Sequence, residues 1–472
     1  MTDIIGYETK DPVIINQIPA GYPRFVTHKL ISQLINELLL EKGYKHRTGF
    51  ALASRRAIDD FRTFLSPHEI EFEERNGFVL AHAKKSSDLQ RAGKAFLQHT
   101  GFSISSRQAE DILAARSAMT VRQEETEEEE NASIRARRQI ADAMGEEVLP
   151  ENILLATSGA NAFHALFRGT REHLADQGRT LWIQFGWLYV DTIKVLSNFC
   201  GDRAESIAVH NVSDLSELRK LFSERGSEIA AVVTEVPTNP LFHTCNLDEV
   251  RGLCRSNGAI LVADPTMASP RNVKVADHAD VIVNSLTKYA ANEGDVMLGC
   301  LAFPKKSTVH NIWIDRIRHY IAPPYSRDLA RIAFEMGHYP DLIERTNKNL
   351  MELATYLESH PSIKKVHWSY SEPFQSNYRK LAGDEKPGCA LAFELKYGME
   401  SFYNKIRILK SPSFGTKFSL LCPYVHLAHY DLMQNKQGRN LLASAGLSPE
   451  LIRVSVGEEE VQEIISVFSE AL

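Results

Sequence analysis

Apolar strands that alternate with helices between residues 150 and 312 constrain the fold of this chain more than any other feature. The strand candidates are continuously apolar, which is typical of strands buried on both faces of a parallel sheet. We therefore predict an α/β domain with a mainly parallel central sheet that helices cover on both faces. The six runs are Ile153–Ala156, Leu181–Gln184, Ile229–Glu235, Ala259–Ala263, Val281–Asn284 and Leu298–Phe303.

The segments on either side of this alternation have different patterns. Residues 1–145 predict helices and irregular segments, with a helix capped at Thr27. Residues 313–472 predict a smaller α+β domain, with a strand from Cys389 and a helix at the end of the chain. We therefore expect three parts, with boundaries near residues 145 and 312.

Charge and cysteine content exclude several classes for a chain of 472 residues. A net charge of -6 gives no reason to expect nucleic-acid binding. No stretch approaches the ~20 apolar residues of a membrane span. The six cysteines form no CxxC pair, so we expect buried, reduced thiols. The N-terminus lacks the basic start and apolar block of a signal peptide, so we expect a cytoplasmic protein.

Two further features have more than one interpretation. The run Glu124–Glu130 carries six glutamates in seven residues, and it is either a solvated loop or helix face or an acidic docking site. His426 and His429 share a helix face if that segment is helical, but a zinc pair needs further ligands, so we expect no metal site. No GxGxxG, GxxxxGK[ST], HExxH or GxSxG motif is present.

Residues 281–289, VIVNSLTKY, carry the strongest local signal for a ligand site. In open α/β sheets, ligands lie outside the carboxyl ends of the strands. Ser285, Thr287 and Lys288 follow such an end, and their hydroxyl groups suit an anionic ligand such as a phosphate. Lys288 itself is interpreted as a phosphate-binding point charge, as a Schiff-base amine or as an ordinary surface lysine.

Other strand ends carry groups that complement this lysine. Asp264 is either a turn residue before a proline or the partner of a heterocyclic nitrogen. Ser158, Gly159 and Ala160 open a helix whose first N–H groups form an anion site, and Phe185 offers a ring for stacking. A phosphate cradle, a ring face, a pyridinium partner and a lysine together are what pyridoxal 5'-phosphate (PLP) requires.

Several motifs then resemble the Cys/Met-metabolism family of PLP-dependent enzymes, which have the aspartate-aminotransferase-like fold (fold type I). These motifs are SGANA, EVPTNP, DPTMASP, SLTKY…GD and IRVSVGEEE. GYPRF at Gly21, FLQHTGFSISSRQAE at Phe96 and SFGTKFSLLCPYVHLAHY at Ser413 resemble the longer, fungal-type cystathionine γ-synthases. The resemblance therefore covers nearly the whole chain. It implies an N-terminal arm and subunit-contact region (1–145), a PLP-binding large domain (146–312) and a C-terminal small domain (313–472).

The resemblance implies a role for each matching residue. Lys288 matches the lysine that forms a Schiff base with PLP, and Asp264 matches the partner of the pyridine nitrogen. Arg453 and Ser413 match residues that bind the substrate carboxylate. The remaining cofactor-binding matches are Ser158, Gly159, Ala160, Ser285 and Thr287 at the phosphate, Phe185 on the ring face, Asn239 near the ring oxygen, and Arg107.

Four positions depart from the pattern of this family. Phe185 lacks the phenol of the usual tyrosine, and Asn292–Glu293 replace the glycine-histidine pair after TKY. Pro412 stands where many bacterial relatives have a glutamate associated with the ammonium group of the incoming amino acid, which leaves the nucleophile open. Ser106–Arg107 are the nearest match to the Tyr-Ser-Arg motif that a neighbouring subunit lends to the phosphate.

The resemblance implies a PLP-dependent γ-replacement enzyme similar to cystathionine γ-synthase, in the transsulfuration step of methionine biosynthesis. Such an enzyme joins an O-acyl-L-homoserine with L-cysteine or another nucleophile through a vinyl intermediate. The alternatives are a γ-lyase, which releases a 2-oxo acid and ammonia, and a specialised γ-substitution enzyme of secondary metabolism. The resemblance also implies amino-acid substrates and a homodimer or homotetramer with shared active sites. A non-catalytic binding protein on this fold is less consistent with the presence of Lys288.

Overall fold

The computed structural model describes residues 1–9, 11–15, 17, 26–75, 77–119 and 130–472. The GYPRF motif and all but the last residue of the acidic run fall outside these described residues. The described residues form three sheets in sequence order, with three, seven and five strands. Each of the three parts expected from the sequence therefore contains one sheet.

The N-terminal part combines helices with a three-stranded antiparallel sheet in the order β1-β3-β2. Its elements are α1 Thr2–Glu8, α2 Pro12–Ile15, α3 Lys29–Glu41, β1 Arg47–Leu52, α4 Ile58–Phe64, β2 Glu71–Arg75, β3 Phe78–Lys84, α5 Ser87–Thr100, α6 Ser106–Ala115 and α7 Ala132–Met144. The prediction of helices and irregular segments alone was wrong here. The strand β2 lies half exposed at a sheet edge. Its sequence, EFEER, therefore lacks the apolar run from which a strand is predicted. The cap of α3 is His28, whose Nδ1 accepts from the Leu30 N–H, rather than Thr27.

The central part contains a seven-stranded sheet in the order β4-β10-β9-β8-β7-β5-β6. Its elements are β4 Ile153–Ala156, α8 Gly159–Asp176, β5 Leu181–Phe185, α9 Val190–Phe199, β6 Glu205–Val209, α10 Ser216–Arg225, β7 Ile229–Glu235, α11 Leu247–Asn257, β8 Ile260–Asp264, β9 Val281–Ser285, β10 Gly299–Ala302 and α12 Thr308–Tyr320. Six strands run in the same direction, and only β10 of this sheet runs antiparallel to both of its neighbours. All six predicted strands are present, and the mainly parallel sheet is confirmed. The missed strand β6 is a partly exposed edge strand without an apolar run.

The C-terminal part is built on a five-stranded, mainly antiparallel sheet in the order β11-β12-β15-β14-β13. Its elements are α13 Ser326–Glu335, α14 Tyr339–Ser359, β11 Ile363–His367, α15 Gln375–Ala382, β12 Ala390–Leu395, α16 Met399–Lys405, β13 Leu409–Lys410, β14 Leu420–Pro423, α17 Tyr424–Ala428, α18 Tyr430–Met433, α19 Lys436–Ser444, β15 Leu451–Ser455 and α20 Val461–Ala471. The strand and the last helix predicted for this part are both present.

The expected boundary at residue 312 falls inside α12. This helix packs closely on α8 of the central part, because a Cβ atom on Gly169 would lie only 2.6 Å from the Cα atom of Ile317. Helix α12 therefore belongs to the packing of the central sheet. The division of the chain into functional domains stays a prediction.

No helix among the described residues is long and apolar enough to cross a lipid bilayer. The cysteines are free thiols, and all except Cys200 are buried. Burial raises the pKa of the Cys245 thiol to about 12, which keeps this sulfur neutral.

Candidate active site

A cavity of about 1280 Å³ opens at the carboxyl edge of the central sheet. Strand β9 delivers Thr287 and Lys288 to its wall, and the loop after β7 delivers Asn239. The C-terminal sheet contributes Arg453 from β15 and Ser413 from a preceding loop. The structure therefore brings together, at one cavity, residues that lie more than two hundred positions apart in the sequence.

Lys288 is a buried amine on the cavity wall, with 9% of the residue exposed. Its Nζ donates to Ser413 Oγ at 2.9 Å and lies 5.0 Å from the centre of the Phe414 ring. This burial contradicts the interpretation as an ordinary surface lysine. Ser413, which the resemblance places at the substrate carboxylate, contacts the lysine here.

Arg453 is a buried cation beside the same aromatic ring. Its guanidinium carbon lies 5.3 Å from the centre of the Phe414 ring and 5.2 Å from that of Tyr424. Nη1 donates to Asn239 Oδ1 at 3.0 Å, and Nη2 donates to the Pro412 carbonyl. The proline that replaces the usual glutamate therefore provides a backbone acceptor that orients the arginine.

A buried carboxylate, Glu235, and a partly buried one, Asp264, stand side by side where β7 and β8 end. Asp264 and Glu235 are register partners on these adjacent parallel strands. Burial raises the pKa of Asp264 to about 6, although its Oδ1 accepts the Thr266 N–H at 2.8 Å. Burial, together with the nearby Asp264, raises the pKa of Glu235 well above its usual value. The two groups thus share an environment that disfavours two negative charges.

Glu235 is a functional candidate that the sequence did not reveal. Its Oε1 accepts the Tyr189 N–H at 2.5 Å, and its Oε2 accepts the Asn239 N–H at 3.2 Å. Tyr189 and Asn239 both line the cavity. Glu235 is the only charged residue of its strand, which is the signal that marks it in an otherwise uncharged run.

The predicted phosphate cradle lies at the N-terminus of α8. Ser158 caps this helix, because its Oγ accepts the Asn161 N–H at 3.0 Å. A Cβ atom on Gly159 would lie 3.0 Å from Ser285 Cβ, and one on Gly299 would lie 2.2 Å from the Gly159 nitrogen. Glycine at these two positions therefore allows close approach of Ser285 and of β10 to the helix N-terminus.

The other predicted phosphate contacts have different surroundings. Thr287 Oγ1 donates to the Leu298 carbonyl at 3.2 Å, so its proton is engaged by the backbone. Ala160 is buried in the first turn of α8. The phosphate-binding roles of these residues stay predictions.

Phe185 is fully buried in the hydrophobic core at the end of β5. Among the described residues, those that line the cavity include Tyr189, four positions further along the chain, but not Phe185. The structure thus identifies an aromatic residue at the cavity that the sequence analysis missed. Stacking by Phe185 stays a prediction.

Arg107 reaches the cavity from α6 of the same chain. It forms ion pairs with Asp295 at 3.2 Å and with Asp328 at 3.5 Å. Asn292 and Glu293, the pair that departs from the family pattern, both contact Glu335. Asn292 Nδ2 donates to the Glu335 carbonyl at 2.8 Å, and the Glu293 N–H donates to Glu335 Oε2 at 2.8 Å. The predicted contact of Arg107 with a phosphate is not tested by these contacts.

His429 has a partner other than a metal, since its Nε2 accepts the Trp187 Nε1–H at 3.0 Å. Burial lowers the pKa of His429 to about 4, which keeps this ring neutral. Across the ranges that the structure describes, no three histidine, cysteine or acidic side chains converge as a metal site.

The groups at this edge of the sheet fit PLP. A partly buried carboxylate at Asp264 suits a protonated ring nitrogen, and a buried amine at Lys288 suits a Schiff base. The N-terminus of α8, with glycines that leave room for close approach, suits a phosphate. Ser158, Gly159, Ser285, Asp264 and Lys288 are the residues that would hold the cofactor.

Comparison with known proteins agrees with this chemistry. The family described as "Cys/Met metabolism PLP-dependent enzyme" matches residues 137–472. The chain belongs to this family. PLP is therefore the cofactor, as the strand ends predicted, and the fold is that of the fold type I PLP enzymes.

Two relatives of this chain are similar to it over different shares of its length. L-2-amino-4-chloropent-4-enoate dechlorinase/desaturase of Streptantibioticus cattleyicolor is 31% identical over 99% of this chain and 93% of its own length. Cystathionine γ-synthase of Neurospora crassa is 30% identical over 68% of this chain, which spans only 52% of that protein.

Solved structures of the family share the fold. Cystathionine γ-synthase from Xanthomonas oryzae pv. oryzae superposes with a TM-score of 0.63 at 19% identity, over 72% of this chain and 84% of that chain. The cystathionine γ-lyase CalE6 from Micromonospora echinospora superposes with a TM-score of 0.59 at 22% identity, over 68% and 82% of the two chains.

Proposed function

We propose that the protein is a PLP-dependent enzyme that eliminates a substituent from the γ-carbon of a small L-α-amino acid. The observation that carries this proposal is the placement of Lys288 and Arg453 against one aromatic ring. Their charged groups lie 5.0 and 5.3 Å from the centre of the Phe414 ring. An amino acid whose carboxylate binds Arg453 would therefore place its Cα hydrogen near the Lys288 amine.

Arg453 binds the substrate carboxylate through its planar guanidinium, which suits two parallel hydrogen bonds. Asn239 and the Pro412 carbonyl hold the guanidinium in place. Asp264 holds a proton at the pyridine nitrogen, and burial makes that interaction stronger than it would be in water. When bound, PLP supplies the electron sink for the pair left at Cα.

Lys288 moves the protons in this proposal. Its neutral amine takes the proton from Cα, gives this proton up, and in a later step takes a proton from Cβ. The electron pair of the Cβ–H bond forms a Cβ–Cγ double bond while the bond from Cγ to the substituent breaks. The substituent leaves with its electron pair, and the Cα proton accounts for its release as the free acid. Lys288 then returns the Cβ proton to Cγ, and hydrolysis of the released enamine by water gives a 2-oxo acid and ammonia.

Two observations favour elimination over replacement. Pro412 occupies the position of the glutamate associated with an incoming amino acid, and a backbone carbonyl there already accepts from Arg453. The relative that is similar over 99% of this chain is named as a dechlorinase/desaturase. We therefore place the chain nearer to enzymes that eliminate than to those that require a second amino acid.

Replacement of the γ-substituent by L-cysteine is the second candidate. In that reaction the cysteine sulfur bonds to Cγ of the unsaturated intermediate and the protons return, which gives cystathionine from an O-acyl-L-homoserine. The similarity to cystathionine γ-synthase of Neurospora crassa over 68% of this chain supports this candidate.

A single substrate panel distinguishes these reactions. O-acetyl-, O-succinyl- and O-phospho-L-homoserine and L-2-amino-4-chloropent-4-enoate are each incubated with the PLP-loaded protein, with and without L-cysteine. We expect loss of the γ-substituent without cysteine, detected as released acid, phosphate or chloride. Formation of cystathionine only when cysteine is present would favour the second candidate. If every compound remains intact, action at the γ-carbon is wrong.

A further inference from the structure

Glu235 lies behind the cavity wall rather than in it. It is the last residue of β7, only 7% of it is exposed, and it is held between the loop before α9 and the loop after its own strand. Its two carboxylate oxygens accept one backbone N–H each, from Tyr189 at 2.5 Å and from Asn239 at 3.2 Å. One side chain thus fixes two segments that line the cavity.

The contact with Asn239 continues to the C-terminal sheet. The Asn239 side-chain oxygen accepts from Arg453 Nη1 at 3.0 Å. A chain of hydrogen bonds therefore runs from Glu235 through Asn239 to Arg453, and the last two residues both line the cavity. The chain joins the central sheet to β15, which the sequence places more than two hundred residues away.

A carboxylate at this position is energetically unfavourable, and an uncharged residue with only a structural role would avoid this cost. Asp264 is its register partner on the neighbouring strand, so two acidic groups lie side by side with little access to solvent. A carboxyl group offers two acceptor oxygens, whereas the amide of glutamine offers one. The geometry requires two acceptors, because the Tyr189 and Asn239 N–H groups point to different oxygens.

We propose that Glu235 is a positioning residue that orients Arg453 for the substrate carboxylate by fixing Asn239 and Tyr189. This inference rests on the proposed function, in which Arg453 is the carboxylate site. Glu235 is not expected to exchange protons with the substrate, because it acts through Asn239. Its loss should therefore weaken amino-acid binding while PLP stays bound.

The test uses the PLP-loaded protein and L-2-aminobutyrate, an amino acid without a γ leaving group. Binding is followed through the absorption of the bound cofactor, and PLP content is measured separately. In Glu235→Gln one of the two N–H groups loses its acceptor, and we expect about tenfold weaker binding with unchanged PLP content, as for one lost hydrogen bond to a charged group. Unchanged binding in a folded Glu235→Gln protein would overturn the proposal.

Asn239→Ala provides a second variant, which keeps the Glu235 contacts to the backbone and removes the bond to Arg453. We expect a similar loss of binding, and the double variant should bind no more weakly than the weaker single variant, because both substitutions break one chain of contacts. Fully additive losses would show that Glu235 does not act through Asn239. If Glu235→Gln does not fold, wild-type binding by Asn239→Ala overturns the proposal by itself.

Asp280→Asn is the matched control. The Asp280 carboxylate also accepts a backbone N–H, from Leu261 at 2.8 Å, but next to the beginning of β9 rather than at the carboxyl edge of the sheet. We expect its binding of L-2-aminobutyrate to equal that of the wild type. If the wild-type protein itself does not bind this amino acid, or if Arg453→Ala binds it equally well, the proposed function fails rather than the role of Glu235.

Discussion

The central part and the N-terminal part of the chain both line the cavity, but they contribute different kinds of residue. The central part presents Lys288 and Asn239 from loops that follow buried strands, with Asp264 and Glu235 at the strand ends behind them. The N-terminal part presents helix faces, such as Arg91, Lys94, Ala95 and Gln98 of α5. From this difference we expect the chemistry to belong to the sheet edge and the N-terminal helices to shape the opening.

A largely buried ion pair connects the N-terminal part to the central part. Asp60 of α4 accepts from Arg168 of α8 at 2.8 and 3.0 Å, and His164 lies 3.4 Å from the same carboxylate. Although burial by itself raises the pKa of Asp60, the adjacent His164 and the hydrogen bonds from Arg168 lower it to about 2. Burial lowers the pKa of His164, so Arg168 is the cation of this cluster.

The strongest test of this comparison is the removal of the Lys288 amine. In Lys288→Ala we expect turnover to fall by at least about 10³-fold, because the variant loses both the general base and the Schiff-base nitrogen. Release of the γ-substituent measures turnover, and borohydride reduction should no longer fix the cofactor to the chain. Lys305→Ala, at an exposed lysine of the same part, should retain full activity. Turnover near the wild-type rate in Lys288→Ala would refute the assignment of chemistry to the sheet edge.

A smaller effect is expected when the carboxylate site is removed. In Arg453→Ala we predict that KM for the amino acid rises about 100-fold while PLP content stays unchanged, since a bidentate charged pair is lost. Steady-state kinetics and cofactor absorption measure the two quantities. Arg407→Ala, at an exposed arginine paired with Glu470, is the control. Loss of the cofactor instead of substrate affinity would contradict the role of Arg453.

The ion pair between the two parts should affect stability rather than chemistry. We expect Asp60→Asn to lower the free energy of unfolding by about 2 kcal/mol at pH 7. This magnitude follows because the pKa of Asp60 is about two pH units lower in the folded protein than in the unfolded chain. The pKa of Asp60 is lowered on folding, so its contribution is present above pH 4 and is lost as the pH falls towards 2. Denaturant unfolding at several pH values should therefore show a difference that shrinks in acid. A fall in turnover at unchanged stability would refute this division of roles.

The smallest effect is expected on the face of α5 that lines the cavity. Gln98→Ala should change the preference among substrates with different γ-substituents by less than about tenfold, as expected for one uncharged contact at the cavity wall. The ratio of kcat/KM values for O-acetyl- and O-succinyl-L-homoserine, or for whichever substrates turn over, measures this preference. Gln90→Ala, at an exposed residue of the same helix, should leave the ratio unchanged. A loss of all turnover in Gln98→Ala would place chemistry in the N-terminal part as well.

Much of the central part could be predicted because its signals are local. The six strand runs are apolar apart from polar residues at their ends, and Asp264 and Lys288 follow two of them within four residues, so strand position alone places both residues at one edge. The N-terminal sheet could not be predicted in this way. Its strand β2 pairs only with β3 and carries three glutamates and one arginine in five residues. It therefore contains no apolar run from which a strand could be predicted.

The amino-acid sequence by itself determined the fold class and the PLP cofactor, and it singled out Lys288 and Asp264 as the residues predicted to serve that cofactor. Each of these features can be recognised in a short segment, because the order of residues in that segment itself indicates the chemistry. Only the tertiary structure decided that Glu235, Asn239 and Arg453 form one chain of hydrogen bonds and that α5 lines the cavity. The physical reason is that these contacts join segments far apart in the chain, where loop geometry and helix orientation, rather than local pattern, set the distance between two side chains.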